Sequence, residues 1–175
     1  MRVLRGISIA LAALLLAAPA GAMTLSQHNG AERKLVQRIN HVRENHGLEP
    51  MKVATRLTRA STRHSNSMGK IGYFRHELRH KGKWTPFGTW IRWFWPGPDY
   101  TSWSAGENLA WGAPGLGPRE TVSLWMHSAG HRANLLHDDW NRIGVSIVHV
   151  AGPAGDFASY DDVTIVTADF GSRAK

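Results

Sequence analysis

Residues 125–136 read WMHSAGHRANLL, and this stretch decides the fold. The residues that lead into it are predicted to form a helix with an apolar face. Pro118 marks its start, because proline suits a first helical turn. We predict that this helix ends before Ser128 and that Ser128 caps the next one, because a serine oxygen accepts a backbone N–H at a helix start. His131 then opens a new helical turn, from which its ring can point back into a cleft, whereas His127 is expected to face solvent.

A second informative stretch is GENLAWG, residues 106–112. Glu107 stands beside a glycine turn and ahead of apolar residues, which predicts a short buried segment that carries one polar group inward. A buried carboxylate is costly unless it is paired or hydrogen-bonded, so a histidine or a metal is its natural partner. On spacing alone, an exposed turn glutamate is the alternative.

Residues 76–80 read HELRH and match the H-E-x-x-H pattern of zinc proteases letter for letter. That pattern needs a helix that places both histidines on one face. Gly72 before the match, a glycine soon after it and Leu78 as its one apolar residue argue against a long buried helix here. We therefore do not favour a protease.

The flanking sequence predicts helices first and strands last. Residues 31–46 and 54–69 carry apolar side chains at helical spacing. Residues 143–147 and 163–167 alternate apolar side chains with other residues, which predicts two antiparallel strands. This order favours an α+β layered domain over a βαβ sheet.

Together, these stretches resemble the CAP family, that of the cysteine-rich secretory, antigen-five and pathogenesis-related proteins, in its bacterial form without cysteines. Residues 106–110 and 125–136 are similar to its two signatures, and residues 74–76 stand where bacterial members have an aromatic residue, a small residue and a histidine. Its closing strands are matched at 143–145 and 169–171, and we assign residues 31–175 to the domain.

The resemblance implies a three-layer α-β-α sandwich with a central antiparallel sheet and a cleft that can hold a divalent metal. Carried over to this chain, the ligand positions are His76, Glu107 and His131. Two imidazoles and one carboxylate suit zinc, whereas calcium prefers more oxygen ligands.

Three further residues are expected to support the cleft. Ser128 stands where animal and plant members have a second glutamate, so this chain has one ligand fewer. Asn108 follows the cleft glutamate, and His64 is expected to be a buried, hydrogen-bonded structural histidine.

The N-terminus predicts export. Residues 1–22 have the pattern of a signal peptide with cleavage near Ala22, followed by a short extension at 23–30. The apolar run at 7–18 is too short to span a membrane comfortably, so no stable span is expected after cleavage, and the protein is expected to be secreted, extracellular or periplasmic. The absence of cysteine excludes disulfides, thiolate zinc sites and a cysteine nucleophile.

The formal net charge of +8, or +6 without the leader, favours a lipid or an anionic cell-envelope polymer as partner. Nucleic acid is not expected, because the basic residues are dispersed along the chain. Residues 84–103 hold five of the eight tryptophans, as a local mini-core or as a binding platform.

These observations leave three functions open. The favoured one is a secreted binding module that holds a lipid or envelope ligand in a cleft with an optional metal. A zinc hydrolase would use Glu107 or a histidine as general base on a metal-bound water. A structural or signalling protein would have a vestigial cleft, so catalysis stays open at this stage.

Overall fold

The computed structural model describes residues 25–175, with side chains from residue 30 onwards, so the predicted leader and its cleavage point lie outside the described residues. The first helix begins at Leu25 and therefore includes most of the segment predicted as a separate extension. In chain order the elements are α1 Leu25–Asn45, β1 Lys52–Val53, α2 Thr55–Ile71, β2 Leu78–His80, β3 Lys83–Thr85, α3 Phe87–Trp90, a 3₁₀ turn Ile91–Trp93, β4 Ser102–Gly112, α4 Pro118–His127, α5 Ala129–Leu135, β5 Arg142–Ala151, a 3₁₀ turn Gly155–Phe157 and β6 Asp162–Ala174.

The central sheet has the strand order β1-β5-β6-β4. The three long strands are antiparallel, and for β5 and β6 this is what the alternating apolar residues predicted. The two-residue edge strand β1 differs, because it pairs in parallel with β5. Parallel neighbours require a crossover connection, and here α2 and the segment after it supply one.

Helices cover both faces of this sheet, which confirms the predicted α-β-α sandwich. Helix α2 packs on β5 and β6, and α1, α4 and α5 lie on the opposite side. Along β6, Val163 and Ile165 face α2, whereas Val166 and Phe170 face α1 and α4. Successive strand residues point to opposite faces, so the last strands are buried on both sides rather than half-buried.

Helix α2 approaches the sheet most closely at Gly144 of β5. A Cβ atom at this position would lie 2.1 Å from the backbone carbonyl carbon of Leu57. One turn further along α2, the Ser61 hydroxyl lies 3.0 Å from the Gly144 carbonyl oxygen and 2.8 Å from Asp169 Oδ2. The glycine therefore sets the distance between α2 and the polar groups beneath it.

Residues 76–80 do not form the helix that a zinc protease would require. Part of this segment is β2, which forms a two-stranded hairpin with β3. Lys81 and Gly82 at the tip both have positive φ, 46° and 74°, as a two-residue hairpin turn demands.

The tryptophan-rich segment divides into buried and exposed residues, so the mini-core is confirmed for part of it and the binding platform stays a prediction. Trp90 and Trp95 are fully buried in a mini-core, where they pack with α2 and β2. Trp84 and Trp93 stay 40% and 48% exposed. No helix within residues 25–175 has the length and apolar character that a membrane span needs.

Candidate functional site

The candidate site lies at the edge strand β4, where two successive side chains enter different layers. Glu107 points towards α2, and Asn108 points towards α5, because neighbouring strand residues alternate in direction. A cleft of about 480 Å³ opens here. Its lining residues are His76, Glu107, Asn108, Ser128, Gly130, His131, Ala133, Asn134 and His137. The three predicted metal ligands and two of the predicted supporting residues thus share one cleft.

Two histidines hold the Glu107 carboxylate. Its side chain is 1% exposed, and its oxygens lie 2.6 Å from His64 Nδ1 and 2.8 Å from His76 Nδ1. An ionised carboxylate only accepts hydrogen bonds, so both histidines donate from Nδ1. His64, from α2, is fully buried and does not line the cleft, so it supports the site from beneath.

His76 is the exposed member of this group. Its side chain is 56% exposed, and its Nδ1 is bonded to Glu107, which leaves Nε2 available at the cleft. The hydrogen bond to Glu107 raises the pKa of His76, although partial burial opposes this change. In the neutral ring, Glu107 thus fixes the tautomer of His76, with the proton on Nδ1 and the lone pair on Nε2.

A second buried carboxyl group, Asp169, lies directly opposite Glu107 in the β4–β6 register. Burial raises the pKa of Asp169 well above its usual value, and the nearby charge of Glu107 raises it further, whereas the hydrogen bond from Ser61 opposes the change. Burial therefore favours the protonated form of Asp169 more than it would in an exposed aspartate. Asp169 Oδ1 has no hydrogen-bond partner among the described residues.

Amide side chains build the opposite wall of the cleft. Asn134 Nδ2 donates to the Glu107 carbonyl oxygen at 3.1 Å and to Asn108 Oδ1 at 3.0 Å. Asn108 Nδ2 donates to the His131 carbonyl oxygen at 3.0 Å, and Trp140 Nε1 donates to Asn134 Oδ1 at 3.2 Å. This network ties the α5 backbone to β4, and it is neutral throughout.

His131 stands on this second wall, in the first half of α5. Burial lowers the pKa of His131, and the nearby His76 lowers it further, which favours the neutral imidazole. The predicted side-chain cap at Ser128 is wrong. The Ser128 carbonyl oxygen accepts from the Arg132 N–H at 2.8 Å, but its hydroxyl makes no cap bond and instead lines the cleft.

Sequence reasoning missed His137, which follows the α5 stretch and also lines the cleft. Its ring stacks on Trp140 with 4.5 Å between centroids. The buried Arg43 holds this loop by donating to the carbonyl oxygens of Leu135, His137 and Trp140. The available signal was a histidine placed one residue after the matched stretch.

The ligand atoms of the predicted set His76, Glu107 and His131 do not all lie within 4.8 Å of one another. Within residues 25–175, the one set of three whose ligand atoms lie within 4.8 Å of one another is His137, Asp138 and Asp139, all exposed. Both oxygens of Glu107 are already engaged by histidines. A carboxylate that accepts from the second ring nitrogen of a histidine is the usual partner of a metal-binding histidine, so Glu107 fits an orienting role.

The fold and this cleft together define the class of protein. The sequence model of the cysteine-rich secretory protein family, CAP, matches residues 36–167. The chain belongs to this family. It is 35% identical over 117 residues to YkwD of Bacillus subtilis, a match that covers 67% of this chain and 42% of YkwD.

Solved structures share the fold at low sequence identity. An outer surface protein from Borrelia burgdorferi aligns with a TM-score of 0.65 at 19% identity, covering 83% of this chain and 94% of that one. An extracellular protein with an SCP domain from Bacillus anthracis also has a TM-score of 0.65, at 22% identity, covering 87% of this chain and 45% of its own. A cysteine-rich secretory protein from Staphylococcus aureus has a TM-score of 0.57 at 16% identity, covering 85% and 40%. The chain thus spans less than half of YkwD and of the last two proteins.

Proposed function

We propose that this protein is an exported binding module that holds one divalent cation, zinc, in the cleft through His76 and His131. The observation that carries the proposal is the buried Glu107 carboxylate, 2.8 Å from His76 Nδ1, which leaves Nε2 of that ring for the cation. His131 supplies the second nitrogen from the other wall. Its lowered pKa fits a ligand, because a metal binds neutral imidazole.

A bound zinc ion would act as a Lewis acid with open positions for water or a ligand oxygen. The chain's own residues orient that chemistry. Glu107 keeps the proton of His76 on Nδ1, and His64 holds Glu107 from below. The hydrolase alternative is weakened for Glu107 as base, because its side chain is 1% exposed and both of its oxygens are engaged by histidines.

The wider proposal is that export brings this cleft to the cell envelope, where it takes a lipid or an anionic polymer. The signal-peptide pattern of residues 1–22 supports export. The description of the Bacillus anthracis relative as extracellular, and of the Borrelia burgdorferi relative as an outer surface protein, agrees with it. Phosphate-bearing envelope molecules offer the oxygen ligands that an open zinc position accepts.

Zinc titration by calorimetry tests the cation site. We expect the chain from residue 23 on to bind zinc at neutral pH, and His76→Ala and His131→Ala each to weaken binding at least about 100-fold, because losing a ligand costs no less than losing an outer-shell partner. His127→Ala is the matched control. This exposed histidine lies one turn before His131 but does not line the cleft.

Two results would contradict the site. The first is no zinc binding by the unsubstituted chain. The second is binding that survives the His76→Ala/His131→Ala double substitution and disappears in His137→Ala, which would place the ion at the His137, Asp138 and Asp139 cluster instead.

A further inference from the structure

The positive charge of this protein, dispersed along the sequence, is concentrated in one layer of the fold. Helix α2 carries four basic residues and no acidic residue. Residues 75–95, which pack against α2, carry five basic residues and only Glu77 as an acidic one. The rest of the chain from residue 23 on carries ten basic and twelve acidic residues. The excess charge therefore belongs to α2 and residues 75–95, which we call the basic face.

Cationic side chains of the basic face are open to solvent. All four basic residues of α2 are exposed, and so are four of the five in residues 75–95. These exposed residues are Arg56, Arg59, Arg63, Lys70, Arg75, Lys81, Lys83 and Arg92. Such a one-sided distribution attracts anionic partners and orients the molecule towards them.

The same face exposes aromatic side chains beside its cations. Trp84 is 40% exposed, and the guanidinium carbons of Arg75 and Arg79 lie 4.4 and 4.8 Å from its ring centroid. Trp93 is 48% exposed, with its centroid 4.9 Å from that of His80. Tryptophan beside arginine is the composition of protein surfaces at a membrane–water interface, where the ring sits among headgroups and the cation contacts phosphate.

The β2–β3 hairpin determines where these cationic and aromatic side chains lie. Arg79 and Trp84 form one cross-strand pair, and His80 and Lys83 form the next, so the two pairs lie on opposite faces of the hairpin. Trp84 therefore flanks one face, and Trp93, through His80, flanks the other. Lys81 at the tip is exposed. The hairpin therefore carries exposed cations with a partly exposed tryptophan beside each of its faces.

We propose that the β2–β3 hairpin and the exposed side of α2 dock on an anionic lipid bilayer. Arginine and lysine contact the phosphates, while Trp84 and Trp93 enter the interfacial layer. His76 precedes the hairpin and lines the cleft, so docking brings the cleft mouth to the headgroups. The proposal rests on export to a membrane-facing compartment, but it requires neither zinc nor a cleft ligand.

Vesicle co-sedimentation in EDTA tests the docking. The chain from residue 23 on is mixed with phosphatidylcholine vesicles that contain or lack phosphatidylglycerol. We expect binding to the anionic vesicles only. Lys81→Asp/Lys83→Glu should weaken it at least about tenfold, because each cation near an anionic surface contributes measurably. Aspartate suits the positive φ of residue 81. Lys34→Glu/Arg38→Glu is the control, since it reverses two exposed charges on α1, in the opposite layer.

A second pair of variants tests the tryptophans. Trp84→Ala/Trp93→Ala should also weaken binding about tenfold, because interfacial burial of two indoles is lost. Leu124→Ala/Tyr160→Ala removes two other exposed hydrophobic side chains, 52% and 40% exposed, and should bind as before. Equal urea midpoints across the four variants show that each is folded; if the tryptophan pair unfolds, the lysine pair decides alone.

Each remaining outcome counts for or against the docking. Retained binding after reversal of the tip charges overturns it. Loss with the lysine variant but not with a folded tryptophan variant also overturns it, in favour of a polyanion that needs charge alone. Zinc binding without vesicle binding contradicts the docking and leaves the cleft proposal standing. Vesicle binding without zinc binding supports the docking and contradicts the cleft proposal.

Discussion

Glu107 and Asn108 are neighbours in β4, yet the two walls of the cleft that they anchor are stabilised differently. On the α2 side, an ionised carboxylate holds two histidines through short charge-assisted bonds. On the α5 side, amide groups hold the backbone through neutral bonds of 3.0 and 3.1 Å. Charge-assisted bonds are roughly twice as strong as neutral ones, so the α2 wall is expected to be the rigid one.

The largest effect should come from breaking the charged wall. Glu107→Ala leaves the fully buried His64 Nδ1 without its acceptor and removes two hydrogen bonds to a carboxylate, each of which contributes about 1.5–3 kcal/mol. We expect a loss of this size in the free energy of unfolding, measured by urea denaturation. Glu44→Ala, at an exposed glutamate of α1, is the control. Equal losses of unfolding free energy in Glu107→Ala and in the control Glu44→Ala would refute the distinction between the walls.

An intermediate effect should come from the neutral wall. Asn134→Ala removes two donated hydrogen bonds and leaves Trp140 Nε1 without its acceptor, which should cost about 1–2 kcal/mol. The same denaturation experiment measures it, with Asn66→Ala as the matched control at an exposed asparagine. A loss as large as that of Glu107→Ala would mean that charge does not separate the walls.

The smallest effect should come from Asp169→Asn. Asparagine keeps the size, can accept from Ser61 and is neutral, as the protonated acid is. Because the folded pKa of Asp169 is raised, its contribution to stability is complete below the unfolded pKa and is lost as pH rises through the folded value. Asparagine does not ionise, so the variant does not lose this stability as pH rises. The two proteins should therefore be most nearly equal in stability at about pH 4, near the unfolded pKa, and the stability of the variant relative to the original protein should rise from there to about pH 8.

Denaturation at both pH values measures this difference, and Asp156→Asn, at an exposed aspartate, serves as control. A variant that becomes less stable than the original protein as pH rises would show that Asp169 is ionised in the fold.

The contrast between the walls also marks what the sequence could predict. The apolar spacing of α2 placed Leu57, Ala60, His64 and Met68 on its buried side, and all four are buried. The signatures around Glu107 and His131 identified the family, which the family match confirms. These features depend on local pattern, and local pattern is present in one sequence.

The remaining features depend on register and on packing between distant segments. Asp169 lies opposite Glu107 only because β4 and β6 pair in one register. The full length of β4 and the role of His137 follow from tertiary contacts as well. The basic face could not be predicted from the sequence, because its cations come from two segments that meet only when residues 75–95 pack on α2.

Gly144 has a consequence for how tolerant this cleft is to change. Leu57, whose backbone it nearly touches, lies two helical turns before His64 on the same rigid helix. A methyl group at residue 144 would push that helix outward, and the imidazole would lose its 2.6 Å contact with Glu107. Because Glu107 also orients His76, the direction in which His76 faces the mouth of the cleft depends on residue 144 being a glycine.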